Sequence, residues 1–144
     1  MTADLYWLTL TALMTAVLAV PYVMERILRV GIPGALGYSA ESGTGGFDKP
    51  SEKPAIWAKR AHAAHRNAVE SLVVFAALVL TAHITGAGTG AGGELVALAA
   101  KTYFFARLVH YVVYTAGIPI LRTLSFFVAL GAIFVIGYAI LTAV

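Results

Sequence analysis

The stretch that decides the fold is residues 60–80, RAHAAHRNAVESLVVFAALVL, in which a polar half runs into an apolar half. Residues 60–70 include two arginines, two histidines, an asparagine and a glutamate, whereas residues 71–80 carry no charge. An uncharged apolar run is typical of a membrane span, so the stretch reads as a helix that enters a bilayer. On this helix Arg66, Asn67 and Glu70 lie on neighbouring ridges. A carboxylate at the edge of hydrocarbon is costly, which makes Glu70 a candidate functional residue.

The composition of the whole chain favours a membrane protein over a soluble domain. Of the 144 residues, 60% are hydrophobic and 12% are charged, whereas a soluble domain is about 25% charged. The mean hydropathy is +0.83. Because a span needs about 20 apolar residues, the length allows four spans and short loops. We predict one all-α domain over residues 1–144, a bundle of four transmembrane helices at about 5–28, 54–85, 94–116 and 120–144.

The bounds of these helices follow from where the apolar runs end and where glycine and proline recur. The first apolar run, residues 5–24, follows a start without positive charge and is longer than a typical signal-peptide core, so we expect a retained helix. Pro21 is expected to kink or loosen its last turn. Glycine and proline recur between residues 31 and 54, which predicts a loop, and glycines recur again between residues 86 and 93, which predicts a turn.

The distribution of positive charge predicts the orientation in the membrane. Seven of the ten Lys and Arg residues lie between Arg26 and Arg66. Arg122 falls in the connection between the third and fourth helices, on the same side of a four-span protein. The positive-inside rule predicts that this side is cytoplasmic and that both termini lie on the opposite side. The net charge of +3 therefore reflects topology, and we expect no nucleic-acid partner, since no long basic run is present.

A second polar set lies in the third predicted helix, where Arg107, His110 and Tyr114 are spaced i, i+3 and i+7. This spacing places the three side chains within about a 60° sector of the helix. Arginines bind carboxylates and a glutamate binds an ammonium group, so arginines around Glu70 at the mouth of a bundle suit a zwitterionic anion. The absence of cysteine excludes disulfides and thiolate metal sites.

Simpler interpretations remain open for single residues. Arg66 and Glu70 also have the spacing of an ordinary surface ion pair. Arg26 is also placed as a positive anchor, and Lys101 is placed to snorkel toward the outer interface. Two further residues are expected to lie on the surface: His62 and His65.

Three segments together resemble one membrane family. Residues 60–70, with Asn67 and Glu70 before an apolar span, resemble the signature helix of the membrane-associated proteins in eicosanoid and glutathione metabolism, the MAPEG family. Residues 105–122, which begin FARLVH and include Tyr114, Pro119 and Arg122, are similar to the family's third and fourth helices. Residues 21–26, PYVMER, are similar to the first helix of bacterial members.

The resemblance implies a homotrimer of four-helix subunits in the bacterial inner membrane, with a glutathione site between subunits that opens to the cytoplasm. It implies an integral membrane glutathione transferase in detoxification, for which an additional glutathione peroxidase activity is open. Glutathione would be the co-substrate, a lipophilic electrophile would arrive through membrane lipids, and no metal is expected. Arg122 matches the arginine that stabilises the glutathione thiolate, and Thr123 stands where one branch has a serine. The implied glutathione-binding residues are Arg26, Arg66, Asn67, Glu70, Arg107, His110 and Tyr114.

Some features depart from the family, and two other functions remain open. Ala63 replaces an arginine that is often seen in mammalian members, and the spacing from Tyr114 to Arg122 matches neither mammalian branch. One alternative is a non-enzymatic membrane carrier or lipid-binding protein, although no inverted repeat with matching broken spans is visible. The other is a structural oligomer, which predicts that Glu70→Gln and Tyr114→Phe change only stability.

Overall fold

The computed structural model describes residues 1–35, 53–87 and 89–143, and every regular element in those ranges is a helix. The chain order is α1 Ala3–Val17, α2 Val20–Ala35, α3 Ile56–Ile84, α4 Gly90–Ala116 and α5 Pro119–Thr142. α1 and α2 share one apolar segment, so the helices make four segments long and apolar enough to cross a membrane. The predicted four-span membrane bundle is confirmed. Most of the loop predicted over residues 31–54 lies outside the described residues.

The first span is two helices, where the sequence predicted one. The chain turns at Leu18 and Ala19, just before Pro21, which has no N–H to complete the helical bond to the carbonyl four residues earlier. The Tyr111 hydroxyl of α4 donates to the Leu18 carbonyl oxygen at 2.9 Å. The Leu18 carbonyl lies in the turn between the two helices, where a backbone oxygen in a membrane needs such a partner, so Tyr111 stabilises the break. The kink expected from Pro21 is therefore present, and it divides the helix.

Glycines explain other differences from the predicted helix bounds. α2 continues to Ala35 through Gly31, whose φ of 70° interrupts the helical backbone. α4 begins at Gly90, before the predicted start at residue 94. A Cβ at Gly92 would lie 2.8 Å from the Ala87 carbonyl oxygen. Position 92 therefore needs glycine, because the preceding turn packs directly against its backbone. The predicted fourth helix ends at Thr142 in the structure.

α4 makes the most extensive helix contacts, since it packs against α1, α3 and above all α5. Alanines on both helices are buried at the α4–α5 contact and allow a close approach. Between α3 and α4, the Phe75 and Tyr103 rings stack with centroids 3.9 Å apart. The Tyr103 hydroxyl donates to Ser71 Oγ at 2.8 Å, so this buried ring has a polar partner.

The two ends of the bundle are held by different polar contacts. At one end, His83 Nδ1 of α3 lies 3.2 Å from Asp4 Oδ2 of α1. At the other, the Ala55 N–H before α3 donates to Glu25 Oε1 of α2 at 3.2 Å. The α4–α5 turn lies at this second end, where the Arg60 side chain of α3 contacts Gly117. We refer to it as the basic end, and both polar segments of the sequence lie there.

Candidate functional site

A groove of about 400 Å³ opens between α3, α4 and α5 at the basic end. We refer to it as the polar groove. Its polar lining comes from all three helices and consists of Arg66, Asn67, Glu70, His110, Tyr114, Arg122 and Thr123. Its remaining wall is Ala63, Phe126 and Phe127. Charged, hydrogen-bonding and aromatic groups thus face one space.

Six of the eight sequence-predicted site residues line this groove within a single chain. The resemblance placed the glutathione site between neighbouring subunits. Here the α3 residues and the α4–α5 residues meet in the same chain, because the tight α4–α5 turn returns Arg122 to the level of Tyr114. The other two predicted residues, Arg107 and Arg26, lie elsewhere.

Arg107 lies behind the wall of the polar groove. Its side chain is almost fully buried, and its Nη1 donates to Asn67 Oδ1 at 2.7 Å. The guanidinium carbon also lies 5.4 Å from the Tyr103 ring centroid and 5.8 Å from that of Phe126. A buried cation is costly unless it is hydrogen-bonded. Because Oδ1 of Asn67 faces Arg107, the Asn67 amide nitrogen remains to donate toward a ligand.

α5 holds His110 in one tautomer. The Nδ1 of His110 lies 3.1 Å from the Arg122 carbonyl oxygen and 3.2 Å from Ser125 Oγ. Ser125 Oγ donates to the same carbonyl at 3.0 Å. A carbonyl oxygen only accepts, so Nδ1 carries the proton of the neutral ring. Nε2 has no hydrogen-bond partner within the described ranges. His110 therefore has an unused acceptor, which is buried at the wall of the polar groove.

Arg122 is the cation at the α4–α5 side of the groove. It follows Pro119 in the first turns of α5, and its side chain is exposed. Its guanidinium carbon lies 4.8 Å from the Tyr114 ring centroid. Such stacking orients an arginine while its N–H groups remain available. No carboxylate of residues 1–35, 53–87 or 89–143 pairs with Arg122, which suits it to an anionic ligand.

Arg66 and Glu70 provide opposite charges on the α3 side. Arg66 Nε lies 3.8 Å from Glu70 Oε1, and the side chains are 71% and 66% exposed. An exposed pair of this kind stabilises a helix by only about 0.3–0.5 kcal/mol. Its contribution to the fold is therefore small, and both charges are accessible to a ligand.

Arg26 lies outside the polar groove of its own chain. It lines a separate pocket of about 230 Å³ between α2 and α3, beside Tyr22 and His62. The Tyr22 hydroxyl lies 2.9 Å from His65 Nδ1, and its ring meets that of His62 edge-on at 5.0 Å. The expectation that His62 and His65 are surface residues was therefore wrong. The break before α2 turns Tyr22 toward α3, and both imidazoles pack against it.

Several contributors to the site were not identified as site residues from the sequence. Helical spacing contained a signal for two of them: Phe126 follows Arg122 by one turn, and Ala63 precedes Asn67 by one turn. Nothing local indicated that Ser125 would contact His110, because that bond joins two helices.

The chain was also compared with known proteins. The sequence model of the MAPEG family matches residues 4–142 of the 144-residue chain. The chain belongs to the MAPEG family. No individual curated protein matches it. This MAPEG protein is thus an integral membrane member of a family of glutathione and eicosanoid metabolism.

Proposed function

We propose that this MAPEG protein is a membrane glutathione transferase, in which a glutathione thiolate attacks a lipophilic electrophile. The observation that carries the proposal is the polar groove, where cations, a carboxylate and hydrogen-bonding groups from three helices converge beside phenylalanine rings. Glutathione has two carboxylates, an ammonium group, amides and a thiol, and the groove contains a partner for the ammonium group, one carboxylate, a peptide amide and the thiol.

The α3 side of the groove binds the peptide part of glutathione in this proposal. Glu70 takes the ammonium group, and Arg66 takes a carboxylate, for which a guanidinium is the preferred partner. Asn67, oriented by Arg107 through a 2.7 Å hydrogen bond, donates its amide to a peptide carbonyl. His110 Nε2 accepts a hydrogen bond from a ligand N–H or S–H.

The α5 side of the groove activates the glutathione thiol in this proposal. A cation next to a thiol favours the thiolate and lowers the thiol pKa, so Arg122 increases the fraction of reactive sulfur. Thr123 Oγ1 donates to the Pro119 carbonyl oxygen at 3.1 Å, so its proton is already used. Arg122 is therefore the stronger candidate to stabilise the glutathione thiolate. With a chlorinated aromatic, the thiol proton leaves to water, the S–C bond forms and chloride departs. Phe127, which is 60% exposed, provides an apolar surface for the electrophile.

Purified protein in detergent tests this proposal. Glutathione titration should produce saturable binding and a rise in thiolate absorbance near the ultraviolet edge, and a chlorinated dinitroaromatic should be conjugated. Arg122→Ala should lower the thiolate signal more than it lowers binding. Lys59→Ala removes a cation of α3 that lies outside the polar groove and should leave both readouts unchanged.

Two results would overturn the proposal. One is the absence of binding at millimolar glutathione. The other is that Glu70→Gln and Tyr114→Phe alter only thermal stability, which would indicate a structural role for these residues. Replacing the aromatic by a lipid hydroperoxide distinguishes a transferase from a peroxidase, because only the latter oxidises two glutathione molecules per turnover.

A further inference from the structure

A second groove lies between α4 and α5 on the face away from the polar groove. Its volume is about 440 Å³, within the range of about 300–1,000 Å³ that is usual for ligand pockets. We refer to it as the apolar groove. Most of its lining is aliphatic or aromatic and includes Leu98, Phe105, Val109, Leu121, Leu124 and Val128. Its polar members are Lys101, Thr102 and Ser125.

Lys101 is the unusual member of this groove because it lies inside a membrane span. The span runs from Gly92 to Ala116, which places the Lys101 backbone about 14 Å from the Gly92 end at 1.5 Å per residue. A charged side chain at this depth is costly and often marks a ligand or ion site. In the part of the chain that the structure describes, Lys101 has no carboxylate partner.

Snorkelling toward the outer interface does not remove Lys101 from the groove. Its Nζ lies 5.9 Å from the Trp7 ring centroid. That ring in turn lies 5.8 Å from the ring of Phe105, a lining residue. The contact with Trp7 therefore keeps the ammonium group at the rim of the apolar groove.

The other polar groups of the groove already have partners. Thr102 Oγ1 donates to the Leu98 carbonyl oxygen at 2.9 Å. Ser125 Oγ donates to the Arg122 carbonyl oxygen at 3.0 Å and lies 3.2 Å from His110 Nδ1. Lys101 is thus the strong hydrogen-bond donor left for a ligand, at one end of an otherwise apolar surface.

We propose that the apolar groove binds a long-chain fatty acid, with its carboxylate on Lys101 and its acyl chain between α4 and α5. The carboxylate supplies the missing counter-charge, and a single chain has no other polar group that would need a partner. From Lys101 to Val109 the groove extends about 12 Å along α4, about half the length of an extended 18-carbon chain, so the groove holds the carboxyl half and the remainder lies in the bilayer. A phospholipid fits less well, because its phosphate stays at the interface and it carries two chains.

Tryptophan quenching provides the test, because Trp7 lies next to Lys101 and the chain has two tryptophans. In a Trp57→Phe background, Trp7 is the single reporter. The probe is a stearic acid brominated along its chain, and the matched ligand without a carboxylate charge is its methyl ester. The acid should quench Trp7 saturably, whereas the ester should require a concentration about tenfold higher for half-maximal quenching.

Variants of Lys101 separate a specific site from lipid that merely surrounds the protein. Lys101→Met should weaken quenching by the acid about tenfold and leave the ester unaffected, because only the acid uses the charge. Lys101→Arg should keep most of the affinity. Each variant is compared with its own unquenched fluorescence and must elute as the parent does. Equal quenching by acid and ester, no effect of Lys101→Met, or non-saturable quenching would each overturn the proposal.

Discussion

The hydrogen bond between Asn67 and Arg107 provides the sharpest test of how the site is built. Arg107 is 4% exposed inside a membrane span, and its one hydrogen bond among the described residues is that to Asn67 Oδ1 at 2.7 Å. Asn67→Ala removes the acceptor and leaves a buried guanidinium with ring contacts alone. A hydrogen bond to a charged group contributes about 1.5–3 kcal/mol. We expect Asn67→Ala to lower the free energy of unfolding by an amount in that range.

The assay is denaturant titration in mixed micelles, followed by tryptophan fluorescence. Asn67→Asp keeps an acceptor and adds a charge that complements Arg107, so it should retain most of the stability. Arg66→Ala is the matched control, because it changes the neighbouring position, where the side chain is 71% exposed. Its cost should be only a few tenths of a kcal/mol, as for other exposed pairs.

A double-mutant cycle decides whether the bond itself is responsible. Removing both partners of a buried hydrogen bond is far less costly than removing one. Asn67→Ala should therefore cost much less in an Arg107→Met background than in the parent protein. If the cost is the same in both backgrounds, the two residues are not coupled and the proposed role of Arg107 in orienting Asn67 is wrong.

Three further predictions concern single residues. Gly117→Ala should destabilise the protein by about 1–2 kcal/mol, because Gly117 has φ of 81° and a Cβ would collide with a guanidinium of α3; Gly131→Ala, where the Cβ meets nothing within 4 Å, should not destabilise it in the same titration. His110→Asn keeps a donor for the α5 carbonyl but loses Nε2 and shortens a buried side chain, so calorimetry on the folded variant should show weaker glutathione binding, and unchanged affinity would contradict this. In the homotrimer that the family resemblance implies, Arg26 should act on the polar groove of a neighbouring subunit; Arg26→Ala and Arg122→Ala should then each lose conjugation alone and restore it when co-expressed, whereas a lack of restoration argues against a shared site.

The sequence determined the features that depend on local spacing and apolar length. Four long uncharged runs predict four spans, since hydrocarbon excludes unpaired backbone and charge. Helical periodicity also placed Asn67 beside Glu70 and His110 beside Tyr114, and each pair does line the same groove. These predictions succeed because they need only the geometry of a single helix.

Contacts between helices were decided by the tertiary structure. Arg107 and His110 share one sector of α4, yet Arg107 lies behind the wall because Asn67 of α3 accepts its hydrogen bond there. Tyr22 and His65 are far apart in sequence and meet because the chain breaks before α2.

Residues 60–80, the stretch that decides the fold, show the same difference between what local sequence specifies and what packing specifies. By itself the sequence determined that a polar turn carrying Arg66, Asn67 and Glu70 enters the membrane on one helix. Only the tertiary structure decided that His110 and Arg122 of the same chain complete the groove and that Arg26 does not. The physical reason is that helix rotation, crossing and the position of a break depend on packing against other helices, which no local period specifies.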